Sequence, residues 1–226
     1  MSISPGTLYI VDDDPEVRKA LGRLLRTAGY PTRTFGSAGD FLAAHVENSA
    51  GCLILDLAMP GMSGLDLQQS LLTAGCPRPI VFLSGKGDIS KSVRAMKRGA
   101  VNFLTKPVDV RELLAAVEEA LRIDAQARAA WTERHGVTER IATLTPRERQ
   151  VLSQVVSGKI NKQIAADLGT AEKTVKVHRS RVMRKMNAAS LVELVKLASL
   201  AGVQSAVQAG ARRPPRAARQ PAQSRH

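Results

Sequence analysis

Residues 8–28 read LYIVDDDPEVRKALGRLLRTA, and this stretch decides the fold of the first half of the chain. Residues 8–11 are an apolar run of strand length, too short for a helix. Asp12, Asp13 and Asp14 end the run. Pro15 then stands at a first helical position with Asp14 placed to cap it, and the apolar spacing that follows predicts a helix over 15–28. The same unit recurs along the chain. Residues 52–55, 80–83 and 101–104 are further apolar runs, and 32–35 is a more polar run suited to a sheet edge. Helical patterns fall near 37–46, 64–74, 88–98 and 109–122, the last opened by the capping-box spacing Asp109-Val-Arg-Glu112. Five strand–helix repeats predict an α/β domain with a doubly wound, five-stranded parallel sheet.

Composition bounds the rest. Of 226 residues, 44% are hydrophobic and 23% charged, the balance of a globular protein. No apolar run approaches the roughly 20 residues that span a bilayer. The opening MSISPGTLYI lacks a basic segment followed by an apolar one, so no signal peptide is expected. Cys52 and Cys76 are too few for a disulfide framework and read as small buried apolar residues. A cytoplasmic protein with no membrane partner is expected. Charge is divided unevenly: residues 1–124 carry 14 Lys/Arg and 14 Asp/Glu, whereas residues 125–226 carry 19 and 6, the whole net +13. All seven aromatic residues precede residue 132. A basic half without rings on which to stack bases favours a duplex over single strands.

Residues 124–139, Ala- and Arg-rich with weak periodicity, are expected to be a linker broken near Gly136. From residue 140 the pattern is helical only. Thr145-Pro-Arg-Glu148 is a capping box with proline at the first helical position. A short helix carrying Ile164, Ala165 and Leu168 ends at Gly169, a third helix spans 172–186, and a fourth opens at Ser190 and ends at Gly202. Residues 204–226, with five Arg, three Pro and no acid, are expected to be a disordered basic tail.

The strand ends carry chemistry. Asp12 and Asp13 follow the first strand, Asp56 the third, Ser84 the fourth and Lys106 the fifth. In an open parallel sheet these carboxyl ends form the ligand crevice. Clustered carboxylates call for a hard divalent cation such as Mg²⁺. Mg²⁺ with a lysine neutralises a phosphoryl group in transfer, and a carboxylate can be the nucleophile that receives it. The runs IVDDDPEVRKAL, LILDLAMPGMSGLDL, FLSGKGD and GAVNFLTKP resemble the receiver domain of two-component response regulators over residues 5–123. That resemblance implies a flavodoxin-like fold, Asp56 as phosphoacceptor from a histidine kinase, and Mg²⁺ held by Asp13, Asp56 and the Ala58 carbonyl, with Asp12 acting through water. It implies that Ser84 and Lys106 bind phosphoryl oxygens, that Phe103 is a rotating switch aromatic, and that Lys106–Pro107 is cis. Asp14 remains a helix cap. Ala58 offers no polar side chain beside the nucleophile, and Lys86 adds a cation near the phosphoryl group.

The helix over 172–186 separates into two faces. Val175, His178, Val182 and Met186 fall at inward spacing, while Lys173, Lys176, Val177, Ser180 and Arg184 fall opposite. An exposed valine among cations suits a major groove, where it can meet a thymine methyl. The segment LTPRERQVLSQVVSGKINKQIAADLGTAEKTVKVHRSRVMRKMNAASLVELVKLA resembles the LuxR-type helix-turn-helix domain of FixJ/NarL response regulators over residues 140–203. It implies a four-helix domain reading double-stranded DNA, with Lys176, Val177 and Ser180 at base edges. Lys162, Lys173, Thr174 and Arg179 are the candidate phosphate contacts, with Arg184 on the same DNA-facing side. The surplus apolar face of the fourth helix predicts a homodimer. The expectation is a phosphorylation-controlled transcription regulator that dimerises when phosphorylated, contacts RNA polymerase, and is no enzyme beyond its own phosphorylation and dephosphorylation. The alternatives are a Mg²⁺-dependent phosphohydrolase and a DNA-binding regulator with a vestigial receiver.

Overall fold

The computed structural model describes residues 6–44, 49–76, 78–85 and 89–203. The expected basic tail and Lys86 lie outside them. The chain divides into two units, Met1–Ala130 and Trp131–His226. Among the described residues no helix is long and apolar enough to cross a membrane.

The first unit alternates strands and helices: β1 (Thr7–Val11), α1 (Pro15–Thr27), β2 (Thr32–Phe35), α2 (Ala38–Ala43), β3 (Gly51–Asp56), α3 (Gly64–Thr73), β4 (Ile80–Ser84), α4 (Ile89–Lys97), β5 (Asn102–Thr105) and the first part of α5 (Val110–Ala142), whose last residues belong to the second unit. All strand pairs are parallel, in the order β2-β1-β3-β4-β5. Successive strand residues serve opposite faces. Tyr9, Val11, Leu53, Leu55 and Phe82 meet Phe41, Leu65 and Leu67 on one side. Leu8, Ile10, Ile54, Val81 and Leu83 meet Leu21, Leu25, Leu113 and Val117 on the other. Burial on both faces is why these strands read as unbroken apolar runs. The polar β2 is an edge strand, as its sequence predicts. Asp14 caps α1 by accepting the Glu16 N–H at 2.8 Å. Gly51 has no alternative: its φ is +142°, and a Cβ there would lie 1.8 Å from the Thr7 carbonyl oxygen. Cys52 is buried, and burial followed by the nearby Asp124 charge pushes its thiol up to about 12. Cys76 is only half-buried.

The expected break near Gly136 does not occur, because α5 runs unbroken for 33 residues. A glycine in a helix interior costs about 1 kcal/mol against alanine. Four alanines between 125 and 130 are the best helix formers, and tertiary anchors stand on either side of the glycine. Asp124 is buried and accepts the Gly51 N–H and the Arg128 guanidinium, each at 2.9 Å. Val137 is fully buried in the second core, and Arg140 donates to the Met186 carbonyl at 2.9 Å.

The second unit adds α6 (Pro146–Val156), α7 (Asn161–Asp167), α8 (Glu172–Met186) and α9 (Leu191–Leu200). Thr145 and Glu148 form the reciprocal capping box that their spacing predicts. Val151, Leu152, Val155, Ile164, Val175, Val182, Met186, Leu194 and Leu197 make one core.

Candidate functional site

In the first unit the site is built by four strand ends. Asp12 is 1% exposed and Asp56 6% exposed, while Asp13 faces solvent. Carboxylate oxygens of all three lie within 4.8 Å of one another. The Lys106 ammonium bridges two of them, donating to Asp12 Oδ2 at 2.7 Å and lying 3.1 Å from Asp56 Oδ1. Burial pushes the Asp56 carboxyl up, and the Lys106 hydrogen bond partly opposes it. Burial alone would lower Lys106, but its hydrogen bonds to Asp12 and Asp56 outweigh this and raise its pKa. The local chain holds these groups in place. Asp12 Oδ1 accepts the Asp14 N–H at 3.0 Å, and Arg18 donates to the Asp12 carbonyl at 2.6 Å. The Lys106 N–H donates to the Ser84 carbonyl at 2.6 Å, so β4 and β5 deliver a buried hydroxyl and an amine side by side. Lys106–Pro107 is cis, as the resemblance implied. Phe103 is half-buried against the sheet core. Ala58 is exposed and, with Asp13, Met59, Lys91 and Arg94, borders a groove of about 580 Å³. An all-oxygen set of three carboxylates suits a hard divalent cation.

The second unit presents its own surface. Gly169, at φ +59°, turns the chain between α7 and α8. On α8, Val175, Val182 and Met186 are buried. His178 is half-buried, and its Nδ1 is enclosed with no hydrogen-bond partner among the described residues. Lys173, Thr174, Lys176, Ser180 and Arg184 are exposed, and Val177 is 44% exposed. Lys176 lies 3.7 Å from Glu172. Lys162 is exposed on α7. Arg179 stands apart from this set: it is half-buried, and its guanidinium donates to Asn161 Oδ1 at 3.1 Å. Arg181, outside the set that the spacing predicts, is also exposed. Its signal was available, since it falls one turn after Val177. On α9, Leu194, Leu197 and Ala198 are buried, whereas Val192 is 81% exposed.

Residues 8–118 match the family model described as the response regulator receiver domain, and residues 142–198 match the luxR family of bacterial regulatory proteins. The response regulator protein TodT of Pseudomonas putida is 45% identical, over 87% of each chain. The chain belongs to the FixJ/NarL family of two-component response regulators. The transcriptional regulatory protein FixJ of Azorhizobium caulinodans is 44% identical over 87% of this chain and 93% of its own. The solved response regulator StyR is 46% identical, with a TM-score of 0.79 over 85% of this chain and 98% of its own. This response regulator therefore combines a receiver, which implies a histidine kinase partner, with a LuxR-type domain, which implies DNA binding. It is a transcription regulator rather than a phosphohydrolase.

Proposed function

We propose that Asp56 is the phosphoacceptor and that its phosphorylation controls DNA binding by α8. The observation that carries this is the buried Asp56 carboxylate, set against Lys106 and beside Asp12 and Asp13 at the carboxyl edge of the sheet. Asp13, Asp56 and the Ala58 carbonyl would hold Mg²⁺, with Asp12 acting through water. The ion supplies positive charge against the phosphoryl oxygens. Lys106 adds a second cation and Ser84 a hydroxyl to the same oxygens, and Phe103 fills the space that Ser84 leaves when drawn inward. The change is a population shift, in which phosphorylation favours the conformer that binds it better. The α4–β5–α5 face, where α4 exposes Val93 and Met96, then favours a dimer. Exposed Val192 supports a second contact between copies through α9. Two copies would place two α8 helices on one duplex, with Lys176, Val177 and Ser180 at base edges and Lys162, Lys173 and Thr174 on phosphates. RNA polymerase is the proposed downstream partner, and the cytoplasm the proposed compartment. The receiver spans residues 5–123 and the DNA-binding domain 140–203 in this reading. The assembled acidic set counts against a vestigial receiver.

Intact-mass analysis after treatment with acetyl phosphate and Mg²⁺ tests the acceptor. One added phosphoryl group is expected on the wild-type chain and none on Asp56→Asn. Equal labelling of the variant would overturn the assignment.

A further inference from the structure

We infer that Arg181 is the guanidinium that reads a base in this regulator, and that the neighbouring Arg179 is a positioning residue which sets the recognition helix. The inference rests on the reading of α8 as the groove helix. Residues in a helix turn about 100° each. The buried Val175, Val182 and Met186 define the inward side of α8. Directly opposite lies the line of Lys173, Val177 and Arg184. Arg181 falls about 40° from Val177 around the axis, well within this outward face. Arg179 falls about 160° from it, beside the buried line.

The contacts agree with the angles. Arg179 is half-buried, and its guanidinium donates to Asn161 Oδ1 at 3.1 Å. Asn161 is the first residue of α7, so Arg179 ties the two helices of the motif together. Arg181 is exposed and, among the described residues, its guanidinium makes no hydrogen bond or ion pair.

Position and chemistry then point to a base. Arg181 begins about 6 Å beyond Val177 along the axis, and helical side chains lean back toward the N-terminus, over the preceding turn. Its fork therefore reaches over the part of the face that Val177 occupies. Val177 has no donor and Ser180 is short, while Lys173 and Arg184 begin a turn or more to either side, so Arg181 is the guanidinium nearest the middle of this face. A guanidinium matches guanine O6 and N7 bidentately, which an ammonium does not. The ligand is a G·C pair next to the position that Val177 touches. Arg184 begins farther along, in the last turn of α8, and suits a phosphate.

The test uses the full-length chain, a duplex selected by the wild-type chain from a randomised library, and a scrambled duplex of equal length, over a series of salt concentrations. Arg181→Ala should lose roughly 5- to 150-fold on the selected duplex and only a few-fold on the scrambled one. Arg181→Lys should restore scrambled binding without restoring selected binding. Repeated selection with Arg181→Ala should lose the preference for one G·C pair per half-site. Arg179→Ala should weaken both duplexes by one common factor and speed hydrogen exchange in α7. The inference is overturned if Arg181→Ala weakens both duplexes equally and lowers the salt slope by about 1, the signature of a phosphate contact. It is also overturned if Arg181→Ala changes nothing while Lys176→Ala and Val177→Ala weaken selected binding, an outcome that leaves α8 in the groove. Indifference of all three variants would overturn the groove assignment itself.

Discussion

Replacing Glu148 with alanine should loosen the DNA-binding unit and leave the receiver intact. Glu148 lies in the first turn of α6 and is 2% exposed. Its Oε2 accepts the Thr145 backbone N–H at 2.9 Å and the Lys185 ammonium at 2.7 Å. Lys185 comes from the last turn of α8 and also donates to the Thr143 carbonyl at 3.0 Å. One carboxylate thus closes the cap of α6 and ties α6 to α8. The Lys185 hydrogen bond, and then the Thr145 N–H, hold the carboxyl at about 2 instead of 4.5. At about 1.4 kcal/mol per pH unit, that depression sets an upper bound of roughly 3.5 kcal/mol at neutral pH. Lys185 is 30% exposed, so solvent screens part of the attraction. Loss of a cap acceptor by itself costs about 1 kcal/mol. Glu148→Ala is therefore expected to cost about 2 kcal/mol.

Hydrogen exchange by mass spectrometry on the full-length chain reads this directly. Segments from α6 and α8 should exchange roughly 30-fold faster in the variant, while β1 and β3 stay unchanged. Glu148→Gln keeps an oxygen for the Thr145 N–H and loses the charge, so it should recover about half of the protection. The pH dependence has a definite sign. The folded carboxyl titrates below the unfolded one, so its stabilisation is complete above about 4.5 and is lost as pH falls toward about 2. The difference in thermal unfolding between the wild type and Glu148→Gln should shrink over that window. Unchanged protection in α6 and α8 of Glu148→Ala, or a difference that ignores pH, would refute the reasoning.

Two further outcomes follow from the fold. Gly51→Ala must put a Cβ 1.8 Å from the Thr7 carbonyl oxygen at a φ of +142°. It should destabilise the receiver by roughly 3 kcal/mol or more, and a wild-type urea midpoint for the sheet would contradict this. A fragment covering 131–203 should be more stable than one covering 138–203 by about 1.5–3 kcal/mol, the burial of one valine, because Val137 is 0% exposed. Equal melting of the two fragments would show that the end of α5 contributes nothing to the second core.

Much of this protein was legible in its residue order. The five strands and the helices α1, α3, α6, α7, α8 and α9 follow from apolar period, caps and glycine stops, which are local properties of the chain. The acidic set was legible for a related reason. A parallel sheet delivers the residues at or just past the end of each strand to one edge, so Asp12, Asp56, Ser84 and Lys106 are brought together by topology once the strands are known. The tertiary structure decided what periodicity does not encode. An Ala-rich segment has almost no apolar contrast, so the continuity of α5 past Gly136 depended on Asp124 meeting Gly51 and on Val137 entering a core formed by later helices. The partner of Arg179 was likewise not local. Helical period sets Arg179 beside the buried line of α8 and Arg181 on its outward face, but only the placement of Asn161 on α7 gives the inner guanidinium its acceptor and ties the two helices together.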